Sequence, residues 1–425
     1  MSILRVIRAD EVRAASTTPI SDEARAAVTP IIAAVRDEGE AGARRYAERF
    51  GEVAPGGPLV LDRAELERRA SAVTREDFAL LSRVAGRITA FARAQLAAIR
   101  PMEAAVPGGC AGHTLIPVAS AGCYAPGGRY PLPSSVLMGV CTARAAGVER
   151  VVVASPNPAP IVCAAAIIAG ADEMLALGGA QAIASLAFGL PGAGPGGAGV
   201  EPVSIIAGPG NRYVTAAKHA VMGAVGIDML AGPSELAVLE HGSGVPAAVI
   251  AADLIAQAEH DDDARPILVT TSETVAREVG AAVERLLASM PEPNAGTARR
   301  AFANGFAAVA PTIGQAIDTI DRLAPEHLEI LTHDPAGVAS AVRHAGAVFL
   351  GPGSAEVFGD YGVGPNHTLP TGASARFAAG LSVFTFLRTR TFLSIQPDAD
   401  LIADTARLAR LEGLEGHARA AESRR

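Results

Sequence analysis

Short apolar runs alternate with helical segments through the middle of the chain, and this alternation constrains the fold more than any other feature. Strand-like runs at residues 148–154, 173–177 and 203–207 are separated by helical stretches, and glycines stand at the junctions. A strand, a helix and a further strand at this spacing form a parallel pair joined by a right-handed crossover. The sequence therefore predicts a parallel sheet covered by helices over residues 104–235.

The alternation resumes after residue 236, with strand-like runs at 236–239 and 267–270 and a clearly amphipathic helix at 273–287. These elements predict a second parallel sheet. Residues 21–103 have a mainly helical pattern, and we expect them to complete this second unit. This unit is thus predicted to be a discontinuous α/β domain formed by residues 21–103 and 236–375. It is the first domain in chain order, because it begins before residues 104–235.

The two ends of the chain fit neither unit. Residues 1–20 are predicted to form a short arm. Residues 376–425 are too few to enclose a core of their own and must dock on another surface. The predicted fold class is α/β, with two Rossmann-like parallel-sheet domains, a small N-terminal arm and a small C-terminal docking domain.

Composition excludes several classes of function. The 425 residues carry a formal net charge of −8 with both signs mixed, and no basic stripe suggests a nucleic-acid partner. The chain has no apolar stretch of membrane-spanning length and no signal-like N-terminus. The four cysteines lack metal-ligand spacing, which favours reduced thiols. We therefore expect a soluble cytoplasmic protein.

Two glycine-rich turns follow predicted strands and open predicted helices, GGAQ at 178–181 and GPGN at 208–211. Unpaired N–H groups at such helix starts can bind phosphate. Neither turn is a full dinucleotide-binding fingerprint. A tight strand-to-helix turn without a ligand is about as probable for each of them, so the dinucleotide signal is weak on its own.

Potential metal ligands are scattered along the chain. Gln257 and His260 are three residues apart, so a helix would place both side chains on one face. Asp360 follows in a polar, glycine-rich loop, and His417 follows the last long helix. These oxygen and imidazole donors suit zinc, cobalt or manganese. A helix that simply ends at His260, a turn aspartate and a polar tail explain the same residues equally well.

Glu326 and His327 stand side by side where a loop is predicted to enter a strand. Adjacent side chains on an extended chain point in opposite directions, so both can act at one place only if the backbone is loop-like there. Near a metal they would form a general acid and base pair. Taken alone they are ordinary polar residues.

Nine segments in the same order resemble the histidinol dehydrogenase family over nearly the whole chain. They are YAPGGR at 124–129, GGAQAIA at 178–184, GPGN at 208–211, AGPSE at 231–235, QAEH at 257–260, PEHLE at 325–329, GDY at 359–361, GPNHTLPTG at 364–372 and EGLEGH at 412–417.

The resemblance implies which residues form the site. One zinc ion would be held by Gln257, His260, Asp360 and His417. Contacts to NAD would come from Tyr124, Gln181 and Asn211. Beyond the metal ligands, the substrate contacts implied are Ser234, His327, His367 and Glu412.

The resemblance also implies the reaction, which oxidises L-histidinol through the aldehyde to L-histidine with two NAD in succession. His327 would take the alcohol proton, and Glu326 would activate the water that hydrates the aldehyde. The family works as a homodimer in which the C-terminal tail completes the partner's site.

Some segments resemble a related branch instead, the sulfopropanediol dehydrogenases. These are PGGCAGH at 107–113, RYPL at 129–132 and FLRT at 386–389. Ser234, Tyr361 and Pro365 follow the histidinol pattern. The alternative is therefore a paralogous NAD-dependent dehydrogenase that acts on another small alcohol such as sulfopropanediol.

Overall fold

The computed structural model describes residues 3–14, 20–127 and 130–424, and the chain is a mixed α/β protein. The strands in chain order are β1 (Val6–Arg8), β2 (Val60–Leu61), β3 (Met102–Val106), β4 (Gly109–Pro117), β5 (Ser120–Tyr124), β6 (Arg150–Ala154), β7 (Glu173–Leu175), β8 (Ile205–Ala207), β9 (Gly226–Ile227), β10 (Glu235–His241), β11 (Arg265–Thr270), β12 (Phe306–Val309), β13 (His327–Thr332), β14 (Ala347–Leu350) and β15 (Leu387–Ile395).

Helices cover both sheets and form the C-terminal end. In chain order they are α1 (Asp22–Glu38), α2 (Glu40–Arg49), α3 (Arg63–Ala70), α4 (Arg75–Ala97), α5 (Pro133–Ala146), α6 (Pro160–Ala169), α7 (Gly179–Phe188), α8 (Arg212–Val221), α9 (Ala247–Ala258), α10 (Glu273–Ser289), α11 (Asn294–Ala301), α12 (Ile313–Leu323), α13 (Pro335–Ala341), α14 (Glu356–Asp360), α15 (Ala399–Leu411) and α16 (Glu415–Glu422).

Two six-stranded sheets carry the fold. Their strand orders are β1-β12-β11-β10-β13-β14 and β2-β7-β6-β5-β8-β9. All neighbours are parallel except β2, which pairs antiparallel with β7. In each sheet the first strand of the alternating series lies in the middle and the chain winds outward in both directions, as in doubly wound nucleotide-binding folds. The α/β prediction with two Rossmann-like sheets is confirmed.

Helix α1 illustrates how the sequence specifies its elements. Ser21 caps its first turn by accepting a hydrogen bond from the Ala24 N–H at 3.1 Å. Val28, Ile32 and Val35 recur at helical spacing and are buried against the second sheet. The helix ends at Gly39, whose φ of 58° suits glycine far better than other residues. The apolar side of α1 therefore packs against the second sheet and is buried there.

The predicted pairing of residues 21–103 with residues 236–375 is wrong. Val60 and Leu61 pair with β7 and so add an edge strand to the sheet of β5–β9. Helices α1–α4 flank this edge strand and pack on the same sheet, as the two core clusters that contain Leu61 and Val28 show. A strand as short as β2, with two residues, shows no alternating pattern of apolar and polar residues, so the sequence does not predict it.

The ends of the chain also join larger structures. In the predicted arm, Val6–Arg8 pairs in parallel with β12 as an edge strand of the other sheet, while residues 1, 2 and 15–19 lie outside the described residues. In the predicted C-terminal domain, β15 pairs antiparallel with β4 along nine residues and closes a three-stranded sheet with β3. The alignment of β15 with β4 therefore ties residues 387–395 to residues 109–117.

Helices α15 and α16 pack mainly against each other through a small cluster of Ala406, Ala409 and Ala418. The outward side chains of Leu408, Leu411 and Leu414 are exposed, Leu411 to 76%. Among the described residues, no helix is both long and apolar enough to cross a membrane.

Candidate metal and catalytic site

A histidine and two carboxylates meet at the amino ends of strands β10 and β13. His260 lies just beyond the end of α9, and Glu356 and Asp360 are the first and last residues of α14. One ligand atom from each of the three lies within 4.8 Å of the others. His260 Nε2 and Asp360 Oδ2 are 3.6 Å apart. Imidazole and carboxylate groups at this spacing are the donors that zinc and related divalent ions use.

Gln257 lies in the last turn of α9, three residues before His260, and has unsatisfied polar atoms. Its side chain is fully buried, and neither its amide oxygen nor its amide nitrogen has a hydrogen-bond partner. Leaving a buried polar group unpaired costs about 1–3 kcal/mol. A ligand for the amide oxygen would recover part of that cost. The residues present therefore fit a metal ion, with Gln257, His260 and Asp360 as the donors predicted from sequence.

Sequence reasoning missed Glu356. Its carboxylate is buried, and its Oε1 lies 3.5 Å from His327 Nδ1. Burial, together with the negative charges of Asp360 and Glu326, raises its pKa well above the usual range. Glu356 precedes Asp360 by four residues, so on one helical turn the two share a face. That spacing was a readable signal once Asp360 was suspected.

His327 and Glu326 do reach the same place. Glu326 Oε2 accepts hydrogen bonds from the Ser234 hydroxyl at 2.7 Å and from the Glu235 N–H at 2.9 Å. The same oxygen lies 3.7 Å from His327 Nδ1. Glu326 ends the loop and His327 begins β13, which provides the loop-to-strand geometry that the pair requires. Burial raises the pKa of the Glu326 carboxyl well above its usual range.

The tautomer of His327 follows from its surroundings. Its Nδ1 lies 3.1 Å from the Glu235 carbonyl oxygen, which can only accept, so Nδ1 must carry the proton. The other nitrogen, Nε2, is buried without a hydrogen-bond partner and lies 3.8 Å from Asp360 Oδ1. Burial, with the nearby His260 and His367, lowers the pKa of His327 to about 3. The ring is therefore neutral, with a free lone pair directed towards the cluster.

His367 and Ser234 also belong to this cluster. His367 Nδ1 lies 3.0 Å from the Asp360 carbonyl oxygen and Nε2 lies 3.4 Å from the Ser135 hydroxyl. Its neighbour Asn366 donates its amide N–H to the Met138 carbonyl oxygen at 3.0 Å. The loop that follows Asp360 is thus fastened to α5, a helix of the other sheet. The two units meet across this site.

The three residues expected to contact NAD lie at the carboxyl ends of strands of the second sheet or just beyond them. Tyr124 ends β5, and its hydroxyl accepts a hydrogen bond from the Gly179 N–H at 3.1 Å. Gln181 is buried in the first turn of α7, and its Oε1 has no hydrogen-bond partner. Asn211 caps α8 by accepting from the Tyr213 N–H at 3.0 Å. Carboxyl ends beside the central strand are where such sheets bind nucleotides.

At each of the two glycine turns, one of the backbone N–H groups that could bind phosphate already donates a hydrogen bond to an acidic side chain. At the first turn, the Gly178 N–H donates to Glu52 Oε2 at 3.0 Å. At the second, the Gly208 N–H donates to Asp228 Oδ2 at 2.8 Å. Acidic side chains from elsewhere in the chain therefore occupy one donor at each turn. Gly128 and Arg129 of the neighbouring segment lie outside the described residues.

Glu412 and His417 are not brought to the cluster within this chain. Both are exposed, Glu412 at the end of α15 and His417 in α16. Their backbone N–H groups bond only to the same helical hairpin, to Leu408 and Leu414. The site built by one chain therefore has His260 and Asp360 together, with Gln257 in the last turn of α9 just before His260, but not the fourth predicted ligand.

Comparison with known proteins places these features in one family. The family model described as histidinol dehydrogenase matches residues 15–425. The chain belongs to the histidinol dehydrogenase family. The histidinol dehydrogenase of Cereibacter sphaeroides is 45% identical over 407 residues, which are 93% of this chain and 91% of that protein. That of Geobacillus kaustophilus is 42% identical over 416 residues, with 95% and 94% covered.

A solved structure agrees with the family assignment. The crystal structure of histidinol dehydrogenase from Elizabethkingia anophelis matches with a TM-score of 0.89 at 28% identity, covering 100% of this chain and 98% of that one. A histidinol dehydrogenase homolog of Ruegeria pomeroyi is 41% identical over 407 residues, 93% of this chain and 92% of that protein. The predicted family and enzyme class, an oxidoreductase of the histidinol dehydrogenase type, are confirmed.

Proposed function

We propose that the protein oxidises L-histidinol through L-histidinal to L-histidine, with one zinc ion per protomer and two NAD molecules used in succession. One observation carries this proposal. His327 Nε2, which has no hydrogen-bond partner among the described residues, lies 3.8 Å from Asp360 Oδ1. In the same cluster, His260 Nε2 and Asp360 Oδ2 are 3.6 Å apart. A base beside a metal-type donor set is what oxidation of a chelating alcohol requires.

Gln257, His260 and Asp360 would hold the zinc ion, with His417 of a second copy as the fourth ligand. When bound, this ion would grip the amino and imidazole nitrogens of the substrate and fix its orientation. Support for a cation comes from the unpaired amide of Gln257, since a buried amide without any partner is unfavourable. Ser234, His367 and Glu412 would complete the substrate contacts.

The chain's own residues would move the protons. His327 Nε2 takes the hydroxyl proton of the alcohol as hydride leaves for NAD. The resulting aldehyde adds water: Glu326 takes a proton from that water, and the protonated His327 returns its proton to the carbonyl oxygen. The hydrate then loses a second hydride to a second NAD while His327 again accepts the hydroxyl proton. Because burial raises the pKa of Glu326, its carboxylate, once ionised, binds a proton more tightly than an exposed one does.

NAD would lie at the carboxyl ends of the second sheet, against Tyr124, Gln181 and Asn211. Its role is to accept hydride. Support comes from the strand order of that sheet and from the unpaired Oε1 of Gln181.

We also propose that the active unit is a homodimer. The exposed leucines of the α15–α16 hairpin favour burial against another surface, as exposed apolar patches generally do. Glu412 and His417 lie on that same hairpin. A two-fold interface would deliver both residues to the partner and would complete two equivalent sites.

The alternative substrate is a sulfonated diol. Two of the three segments that resemble the sulfopropanediol branch, residues 107–113 and 386–389, lie in or beside the three-stranded antiparallel sheet. They are thus outside the cluster of His260, His327 and Asp360. This location favours L-histidinol.

The test is a comparison of substrates on zinc-loaded protein. L-Histidinol should give two NADH per molecule consumed, and 2,3-dihydroxypropane-1-sulfonate should give none. Turnover of the sulfonate alone would reject the proposal in favour of the alternative.

A further inference from the structure

Glu52 lies at the start of helix α7, although it is far from that helix in sequence. It follows α2, and its Oε2 accepts hydrogen bonds from the Gly178 N–H at 3.0 Å and from Gln181 Nε2 at 2.8 Å. A β-carbon added to Gly178 would lie only 2.6 Å from Glu52 Oε1. Glycine at 178 is therefore what lets the carboxylate approach the helix.

This contact changes what the turn at 178–181 can bind. The partial positive charge of the α7 N-terminus is already matched by a resident carboxylate. The Gly179 N–H is taken as well, by the Tyr124 hydroxyl at 3.1 Å. A dinucleotide phosphate placed here would meet a negative charge and would find these two donors occupied. The turn is therefore unsuited to the diphosphate.

The contact between Glu52 and Gln181 also leaves the amide oxygen of Gln181 without a hydrogen-bond donor among the described residues. Gln181 is 1% exposed, and because its Nε2 donates to Glu52, its Oε1 is the free atom of the amide. That oxygen is buried and has no hydrogen-bond partner among the residues that the structure describes. A carboxylate and an orphan amide oxygen side by side call for a ligand that donates hydrogen bonds. A sugar diol offers two hydroxyl donors at suitable spacing.

We propose that Glu52 and Gln181 Oε1 accept hydrogen bonds from the two hydroxyls of the adenosine ribose. The negative charge of Glu52 would then repel a 2′-phosphate, so the site would bind NAD in preference to NADP. This inference rests on the proposed use of a nicotinamide dinucleotide. An acidic residue on the ribose is the usual device for this choice in Rossmann folds, where it comes from the end of a strand. Here it would come from the loop that follows α2.

The test is equilibrium binding of NAD and NADP by calorimetry, which needs no turnover. Glu52→Gln keeps an oxygen that can accept both existing hydrogen bonds but removes the charge. NAD should bind about tenfold more weakly and NADP more tightly than to the wild type. The control is Glu48→Gln in the last turn of α2, four residues before Glu52, whose carboxylate accepts from the Gly56 N–H at 3.0 Å. It should leave both affinities unchanged.

A second measurement uses the wild-type protein and so does not depend on a variant that folds. ADP-ribose should bind about tenfold more tightly than its 2′-deoxyadenosine counterpart, because one charge-assisted hydrogen bond is lost. Equal binding of these two, or an unchanged ratio of NAD to NADP affinity in Glu52→Gln, overturns the role of Glu52. If the wild type binds neither NAD nor NADP, the proposed function fails together with this inference.

Discussion

Lys218 and Asp228 form an ion pair that solvent hardly reaches, with side chains 2% and 1% exposed. Lys218 Nζ also donates to the Gly208 carbonyl oxygen at 3.1 Å, and Asp228 accepts from the Gly208 N–H. The pair therefore holds both backbone groups of the first glycine in the turn at 208–211. A β-carbon at Gly208 would lie 2.1 Å from the Tyr124 carbonyl oxygen, so the turn presses directly on β5.

Breaking this pair should destabilise the protein strongly. Lys218→Met leaves Asp228 buried and uncompensated, and the free energy of unfolding should fall by about 3–5 kcal/mol. The paired replacement Lys218→Met with Asp228→Leu should recover most of that loss but not NAD affinity, because Gly208 is no longer held. Chemical denaturation and calorimetry separate the two effects. A double variant with wild-type NAD affinity would show that the pair serves stability alone.

Metal binding should depend on His260. His260→Ala should reduce bound zinc from about one per protomer to nearly none after dialysis, since it removes the predicted nitrogen donor that a chain supplies to its own site. His241→Ala is the matched control, because His241 is exposed and contacts Thr271 at 2.7 Å. Metal content is read by atomic emission, and a chelator should abolish turnover of the wild type. Full activity in verified metal-free protein would refute the metal assignment.

Glu326 and His327 should affect different steps. Glu326→Gln should slow oxidation of the aldehyde more than the first hydride transfer, because hydration uses Glu326 as its base whereas the alcohol proton goes to His327. His327→Ala should slow both steps, since both release a hydroxyl proton. Single-turnover rates from the alcohol and from the aldehyde provide the comparison. Equal losses on the two substrates in Glu326→Gln would exclude the water-activating role.

Glu329 should make stability depend on pH. Burial, with nearby Asp253, raises the pKa of Glu329 to about 8, so the folded protein keeps a proton that the unfolded chain releases near its ordinary value of 4.5. The stability contributed by the neutral carboxyl is thus present below about pH 4.5 and is lost as pH rises towards 8.

Glu329→Gln cannot ionise and can still accept the hydrogen bond from the Glu356 N–H, which is 2.7 Å long in the wild type. Its stability relative to wild type should therefore increase between pH 5 and 8. Denaturation in the presence of a chelator avoids the pH dependence of metal binding. Exposed Glu278→Gln controls for the change in net charge. A pH-independent difference between Glu329→Gln and wild type would contradict the raised pKa.

Much of the fold was readable because strand and helix periodicities are local. The parallel sheets follow from the runs that became β6, β8, β10 and β11. The position of residues 21–103 was not readable, because it depends on Val60 and Leu61 pairing with β7 across more than a hundred residues. Pairing at that range leaves no mark in local sequence.

The sequence also predicted part of the candidate site. Residue type and spacing made Gln257, His260, Asp360, Glu326 and His327 candidates, and the family resemblance implied their roles. The fold brings His260, Asp360, Glu326 and His327 together. Glu356 and Glu52 were missed, since each acts through contacts made only in three dimensions. The sequence left phosphate binding and an unliganded turn equally open for residues 178–181, because the hydrogen bond from the Gly178 N–H to Glu52 cannot be seen in the sequence.

We expect one chain to build only part of the active site and the hairpin of the partner to complete it. His260→Ala and His417→Ala, each inactive alone, are unfolded and refolded together. In a mixed dimer one site receives both defects and the other receives neither. Because random mixing makes half of the dimers mixed, about a quarter of wild-type activity should return. No recovery, with mixed dimers verified by differential tags, would contradict a site shared between two chains.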